Sequence, residues 1–276
     1  MPELPEVQTV IEGIKPKILD KKILGFRKFI SKLRYPISKS IPKKIIKSRV
    51  KRVHRRAKYI IIDLEYNQSI IIHLGMAGRV IISKSQDRPL FKHTHFVIKF
   101  SNNIELLYVD PRRFGLIKVL PSDLLLKSNL FAHLGVEPLS RKFNKECLRK
   151  ICQDKKSSIK STIMNQRHVV GVGNIYASES LFLAKINPLK VCNLLTMQEC
   201  NHIVCSIKKV LNKSIKLGGS SINNYAMVSG KLGNYQNKLE VYAREGLICR
   251  KRTCKSKILR IVIAQRSTFY CPVCQK

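Results

Sequence analysis

The chain has 276 residues, 44% of them hydrophobic, which is enough to bury two cores or one large one. Its 53 Lys and Arg against 17 Asp and Glu leave a net charge of +36, a balance that calls for an anionic polymer as partner through phosphate neutralisation and counterion release. No apolar run approaches the roughly 20 residues of a membrane span. The acidic, proline-broken start does not fit a signal peptide, so the expected setting is a reducing cytoplasm with no membrane partner.

The chain opens MPELPEVQTV. Pro2, Glu3 and Glu6 suit a helix start, because proline is favoured in the first turn and glutamate complements the positive end of the helix dipole. The same residues also admit a chemical reading. A small second residue favours removal of Met1, and the secondary amine exposed on Pro2 would then titrate at roughly 7.7–8, the range of an ordinary α-amino group. Val7, Val10, Ile11 and Ile14 recur at helical spacing, so 5–15 reads as an amphipathic helix. From about 23 to 120 the pattern turns to short β-rich runs: KYIIIDL (58–64), SIIIHL (69–74), RVIIS (79–83), HFVIKF (95–100), NIELLYV (103–109) and GLIKVL (115–120). Polar or glycine turns separate them, as in an antiparallel sandwich or barrel. Residues 121–127 read as a short helix, and HLGVEPLS (133–140) as a domain boundary. Helical patterns follow near 143–152, 157–166, 174–183 and 196–217, so the class is α+β. The stretch LGGSSINNYAMVSGKLGNYQ (217–236) is long for a plain connection and is expected to be functional or mobile.

Five of the nine cysteines, 147, 152, 192, 200 and 205, have no paired spacing and fit small buried hydrophobes. The other four form Cys249-x4-Cys254 and Cys271-x2-Cys274, a spacing for one structural zinc per chain. Disulfides are the alternative. Between the pairs, ILRIVIA and STFYC can form a hairpin with Gln265 and Arg266 near its turn, and Arg266 there suits a phosphate. GVGNIYASES (171–180) places glycines before a helix start, where backbone N–H groups can bind phosphate, although a plain turn reads the same way. HLGMAG (73–78) and DPRRFG (110–115) end β runs in glycine turns that display Met76, Arg112, Arg113 and Phe114. Such side chains are either core or wedges that enter a base stack. Lys58 and His73 belong to the same strand-rich region and could reach phosphates, a core histidine being the alternative for His73.

Taken together, MPELPEV, RRAKY (55–59), HLGMAGR (73–79), DPRRFG, VVGVGNIYASESLF (169–182) and QRSTFYCPVCQ (265–275) resemble the formamidopyrimidine-DNA glycosylases, bacterial enzymes that excise oxidised purines such as 8-oxoguanine. The resemblance implies a β-sandwich over 1–135, a helix–two-turn–helix module over 136–236 with a lesion-capping loop at 217–236, and a zinc hairpin over 237–276. It implies a monomer that binds damaged double-stranded DNA in the bacterial cytoplasm, at the nucleoid. Pro2 falls at the nucleophile that attacks C1′ and forms an iminium, Glu3 at the neighbouring acid/base, and Glu6 at a supporting carboxylate. Lys58 and Arg266, counted with the catalytic set, fall with His73 and Asn174 at the grip on the phosphates around the lesion. Met76, Arg112 and Phe114 fall at the wedge that fills the gap left by the flipped base, and Lys160 at a lysine near the DNA backbone. Cys249, Cys254, Cys271 and Cys274 fall at the zinc ligands. One departure stands out: the family usually opens its zinc site C-x2-C with a glycine following, whereas this chain has x4 and Lys255, which puts the first knuckle and Cys249 in question.

Two other readings compete. An endonuclease VIII-like enzyme for oxidised pyrimidines shares Pro2 and Glu3 but typically carries glycine where this chain has Leu4. A zinc-hairpin nucleic-acid-binding protein without catalysis would account for the charge and the cysteines, though not for MPELPE.

Overall fold

The computed structural model describes residues 1–84, 91–220 and 233–276. They form two compact units, Met1–Ala132 with Leu217–Asn234, and His133–Lys216 with Tyr235–Lys276. The stretch at 217 therefore groups with the first unit and the terminal hairpin with the helices. The three-part division expected from the sequence runs along the chain instead.

In the first unit α1 (Leu4–Ile18) precedes eight strands: β1 (Ile23–Lys28), β2 (Val50–Arg56), β3 (Tyr59–Leu64), β4 (Gln68–His73), β5 (Arg79–Ser83), β6 (Thr94–Phe100), β7 (Ile104–Val109) and β8 (Leu116–Pro121). A short helix, α2 (Ile41–Ile45), follows β1. The strands make two four-stranded antiparallel sheets, ordered β1-β6-β7-β5 and β2-β3-β4-β8, which is the sandwich expected. Register fixes the core. Ile60 pairs with Ile72 and Ile62 with Ile70, and these join Val7, Ile14, Phe96, Ile98 and Tyr108 in one buried cluster. Ile61 and Ile71, which point to the opposite face, are buried too, so β3 and β4 read as continuous apolar runs rather than alternating ones. Helix α1 packs on β2, β3 and β5. It runs three residues past the expected end, through Pro16, because a proline in the last turn removes a single N–H while Leu19 N–H still reaches Lys15 O at 3.0 Å. The helix expected at 121–127 shrinks to one 3₁₀ turn, Leu125–Lys127.

The second unit holds α3 (Lys145–Cys152), α4 (Ile159–Met164), α5 (Asn174–Ala184) and α6 (Met197–Lys216), then the hairpin of β9 (Leu259–Ile263) and β10 (Arg266–Tyr270). Helix α5 packs on α4, α6 and β10, and buries nearly its whole surface. Caps set the helix starts: Asn144 accepts the Cys147 N–H ahead of α3, and Ser158 accepts the Ser161 N–H ahead of α4. No helix among the described residues is long and apolar enough to cross a membrane.

Candidate active site and nucleic-acid interface

In the first unit the start of the chain is folded inward. Met1 is 43% exposed, but Pro2 is buried, with Glu3 at 4%, Glu6 at 2% and Lys58 at 7% exposure. Pro2 stands one residue ahead of the cap rather than in the helix; the proline of the first turn is Pro5, whose missing N–H would be unpaired there in any case. Glu3 then caps α1, and its own N–H donates to Glu6 Oε2 at 2.8 Å. Burial holds the terminal amine below its ordinary value of 8.0. Lys58 and Arg112 push in the same direction, whereas Glu3 and Glu6 oppose them. Four sequence-predicted residues, Glu3, Glu6, Lys58 and Arg112, thus act on one amine, that of the chain start next to Pro2.

His73 ends β4. Its Nδ1 accepts the Gly75 N–H at 2.9 Å, so the proton sits on Nε2. Burial, reinforced by Lys58 and Arg34, lowers its pKa to about 4. A neutral imidazole that keeps its proton on Nε2 is a donor suited to a phosphate oxygen. It sits 4.8 Å from the Tyr59 ring, centroid to centroid.

The two glycine turns after β4 and before β8 are packed against each other. Gly75, at φ +62°, lies so near Gly115 that a Cβ on it would come within 2.5 Å of the Gly115 nitrogen. A Cβ on Gly115 would overlap the Tyr108 hydroxyl. Asp110, fully buried, organises the second turn: its carboxylate accepts N–H bonds from Arg112 at 3.1 Å and Gly115 at 2.9 Å and the Tyr108 O–H at 3.2 Å. Its carbonyl bonds His95 Nε2 at 2.7 Å. With the turns locked, Met76 (39% exposed) and Phe114 (47%) stand out from the surface, and the Arg112 guanidinium lies 4.9 Å over the Phe114 ring. The exposure of Met76 and Phe114 removes the core alternative for these two side chains. Sequence reasoning singled out the exposed residues of these turns and missed what supports them, Asp110 and Tyr108. An Asp ahead of proline in a turn is the signal that was available.

In the second unit Asn174 opens α5 behind Gly173. Gln166 braces the preceding turns, accepting the Gly171 N–H at 2.7 Å and donating to Met164 O and Val172 O. Lys160 departs from the sequence expectation of a lysine at the DNA backbone. It is 1% exposed, and its ammonium donates to Asn174 Oδ1 at 2.6 Å, Thr268 Oγ1 at 2.7 Å and Ser267 O at 3.3 Å. Asn174 Nδ2 also donates to Ser267 O, at 2.8 Å. The helix start and the hairpin are thereby tied through one buried cation. Ala264 and Gln265, both at positive φ, form a two-residue hairpin turn, and Arg266 stands exposed as the first residue of β10.

Beneath the hairpin the sulfurs of Cys249, Cys254, Cys271 and Cys274 lie within 4.8 Å of one another, with Cys249–Cys274 at 3.9 Å and Cys254–Cys271 at 3.6 Å. Tetrahedral zinc with bonds of about 2.3 Å sets its sulfurs about 3.8 Å apart, so four thiolates in this arrangement fit the metal and leave it no open position. The four-residue spacer is absorbed in a closed loop. Cys254 N–H donates to Lys251 O and Cys249 N–H to Ser256 O, each at 2.9 Å, and the Cys249 sulfur stands with the other three despite the longer spacer. Glu179, unremarked in the sequence, accepts the Glu240, Val241 and Tyr242 N–H groups at 2.9 Å and fixes the chain leading to the metal. The stretch expected to cap the lesion lies outside the described residues except at 217–220 and 233–236.

Residues 1–117 match the formamidopyrimidine-DNA glycosylase N-terminal domain, 134–226 the formamidopyrimidine-DNA glycosylase H2TH domain, and 249–276 the zinc finger found in FPG and IleRS. A formamidopyrimidine-DNA glycosylase of Enterobacter sp. (strain 638) is 45% identical over 276 residues, covering all of both chains. Among solved structures, a Lactococcus lactis FPG point mutant in complex with a Fapy-dG containing DNA superposes with a TM-score of 0.91 at 34% identity over all of both chains. The Lactococcus lactis Fpg with an abasic site containing DNA gives 0.90 at 34% over 99% of each.

Proposed function

The chain belongs to the formamidopyrimidine-DNA glycosylase family, and we infer from that membership and the first unit's geometry that it excises oxidised purines from duplex DNA and cleaves the resulting abasic site. The observation that carries the residue assignment is the buried chain start, whose amine is held below its ordinary pKa among Glu3, Glu6, Lys58 and Arg112. Once Met1 is removed, that amine belongs to Pro2.

A base inside a duplex hides its glycosidic bond, so the nucleotide is first rotated out, at a cost of a few kcal/mol. Met76, Arg112 and Phe114 offset that cost by occupying the gap. Lys58, His73, Asn174 and Arg266 hold the phosphates that the extrusion bends out of line. The Pro2 nitrogen attacks C1′ as the bond from C1′ to the base breaks, the base leaving with the bonding pair and taking a proton from water. Glu3 takes the proton that the Pro2 nitrogen sheds and passes it to the ring oxygen as the C1′–O bond opens, leaving a cationic iminium between Pro2 and C1′. Loss of a C2′ proton then expels the 3′ phosphate, and loss of the C4′ proton expels the 5′ phosphate. Hydrolysis of the iminium frees Pro2. The neighbouring carboxylates favour the protonated, inert amine, and burial together with Lys58 and Arg112 counters them. Zinc held by the four cysteines fixes the hairpin that carries Arg266 and takes no part in bond breaking. The reaction belongs to a bacterial cytoplasm, where free thiols persist and DNA is at hand.

Borohydride reduces an iminium to a stable amine, so it should trap the protein covalently on an 8-oxoguanine duplex, with thymine glycol as the competing substrate. A tag left on the N-terminus should abolish trapping while DNA binding persists. Cleavage by N-terminally blocked protein at the unblocked rate overturns the assignment of Pro2, and preference for thymine glycol overturns the substrate.

A further inference from the structure

Glu6 bonds two partners that are far apart in sequence. While Oε2 accepts the Glu3 N–H, Oε1 accepts the Ser220 N–H, also at 2.8 Å. Ser220 is 3% exposed and its hydroxyl has no partner among the described residues, so the backbone bond to Glu6 is its polar tie. The surrounding stem is shaped to permit this approach. Gly218 and Gly219 have φ of 76° and 79°. A Cβ on Gly219 would stand 3.0 Å from Glu6 Oε1 and 3.2 Å from its Cγ. Asn234 N–H donates to Leu217 O at 3.0 Å, and a Cβ on Gly233 would come within 2.5 Å of Gly218 O, so both ends of the 217–234 segment meet at this point.

A buried carboxylate sharing its oxygens between two N–H donors cannot follow one donor without stretching the bond to the other, and hydrogen bonds weaken steeply with misalignment. We propose that Glu6 is a positioning residue that couples the stem of the 217–234 segment to Glu3 and hence to the Pro2 amine, so that the stem's placement sets the rate of imine chemistry even on a substrate with no base to read. This deepens the reading of Pro2 as nucleophile and rests on it. A Glu6 that merely closes the first turn of α1 predicts otherwise, since the stem would then matter only while a damaged base is being recognised.

A preformed abasic duplex separates the two, because it offers the amine a sugar and presents no base. The single-turnover rate of borohydride trapping on that duplex is measured for the zinc-loaded wild type, Gly219→Ala, Glu6→Gln and the double variant. Gly219→Ala pushes on Glu6 from the stem side. Glu6→Gln, nearly isosteric, leaves one of the two N–H donors facing an NH₂ group. Each single variant should trap about tenfold more slowly, the size expected for losing one hydrogen bond to a charged group. The loss should fall on the rate constant rather than on apparent affinity, and the double variant should be no slower than the slower single one. Wild-type trapping by Gly219→Ala, or single effects that multiply in the double variant, overturns the coupling while Pro2 stands. Should Gly219→Ala fail to fold, Glu6→Gln at the wild-type rate overturns the coupling by itself. A wild type that cannot be trapped on the abasic duplex overturns Pro2 and the coupling together.

Discussion

Replacing Lys160 with methionine tests whether its ammonium positions the protein or touches DNA. The three acceptors around Nζ, at 2.6, 2.7 and 3.3 Å, match its three N–H groups. Methionine keeps most of the buried volume and removes the donor. Ser267 O retains its bond from Asn174 Nδ2, and the Thr268 hydroxyl retains Arg266 O at 3.3 Å, so Asn174 Oδ1 is the acceptor chiefly left without this donor. An unsatisfied buried acceptor costs about 1–3 kcal/mol. Relief from burying an ammonium offsets part of this, leaving a net loss of about 1–2 kcal/mol and a fall in melting temperature of roughly 2–8 °C. Asn174 and the strand carrying Arg266 keep only the Asn174–Ser267 bond between them and lose the lysine that braced it, so affinity for a duplex containing a tetrahydrofuran abasic analogue should fall by about tenfold. Salt dependence identifies the cause. A lysine that neutralises a phosphate contributes about 0.9 to the slope of log K against log salt, whereas one that positions other residues contributes nothing. The expected result is therefore weaker binding with an unchanged slope, read by fluorescence anisotropy from 50 to 300 mM salt. A slope reduced by about one, with unchanged thermal stability, would refute the buried-tie argument and return Lys160 to the DNA backbone.

With its folded pKa lowered to about 4 from 6.5, His73 stays neutral in the free protein at physiological pH. The unfolded chain takes up the proton first, so this residue makes the fold less stable as pH falls from 6.5 towards 4; His73→Asn should flatten that part of the stability curve, and an NMR titration of the ring near 6.5 would contradict it. Gly115→Ala drives a methyl into the Tyr108 hydroxyl and within 2.6 Å of His73 O, which should cost about 3 kcal/mol or more and unseat both wedge turns; a melting temperature within 2 °C of wild type counts against the packing described. Chelation should remove one zinc per chain and abolish DNA binding through loss of the hairpin, with the β-sandwich signal in circular dichroism retained. Cys249→Ser should do the same at lower chelator concentrations, and wild-type zinc retention in that variant would exclude Cys249 from the ligand set.

The parts of this molecule legible in sequence are those whose information is local. The six β runs were readable because β3 and β4 are buried on both faces, which makes IIID and SIII conspicuous, while β1 (ILGFRK) and β2 (VKRVHRR) dilute the same signal with outward-facing basic residues. Four cysteines in 26 residues announce a metal whatever surrounds them. The longer spacer put Cys249 in question, and only the fold, which closes the extra residues into a loop, shows its sulfur beside the other three.

What sequence could not supply is the use made of buried polar groups, because a Lys or Glu codes for exposure until a partner from elsewhere in the chain encloses it. Lys160 meets Thr268 across 108 residues, Glu179 meets Val241 across 62, and Glu6 meets Ser220 across 214. Each of these bonds joins a residue of the expected site, or the element that carries one, to a distant part of the chain, the strand β10 in the first case and irregular segments in the other two. Net charge of +36 draws the protein to DNA without regard to which lysine is where. The chemistry depends on the few charges withdrawn from that surface, since a carboxylate or ammonium that water cannot screen holds its neighbours to tenths of an ångström. It follows that substitutions at exposed lysines should change affinity in small, salt-dependent steps, and that substitutions at Glu6, Lys160 or Glu179 should change geometry.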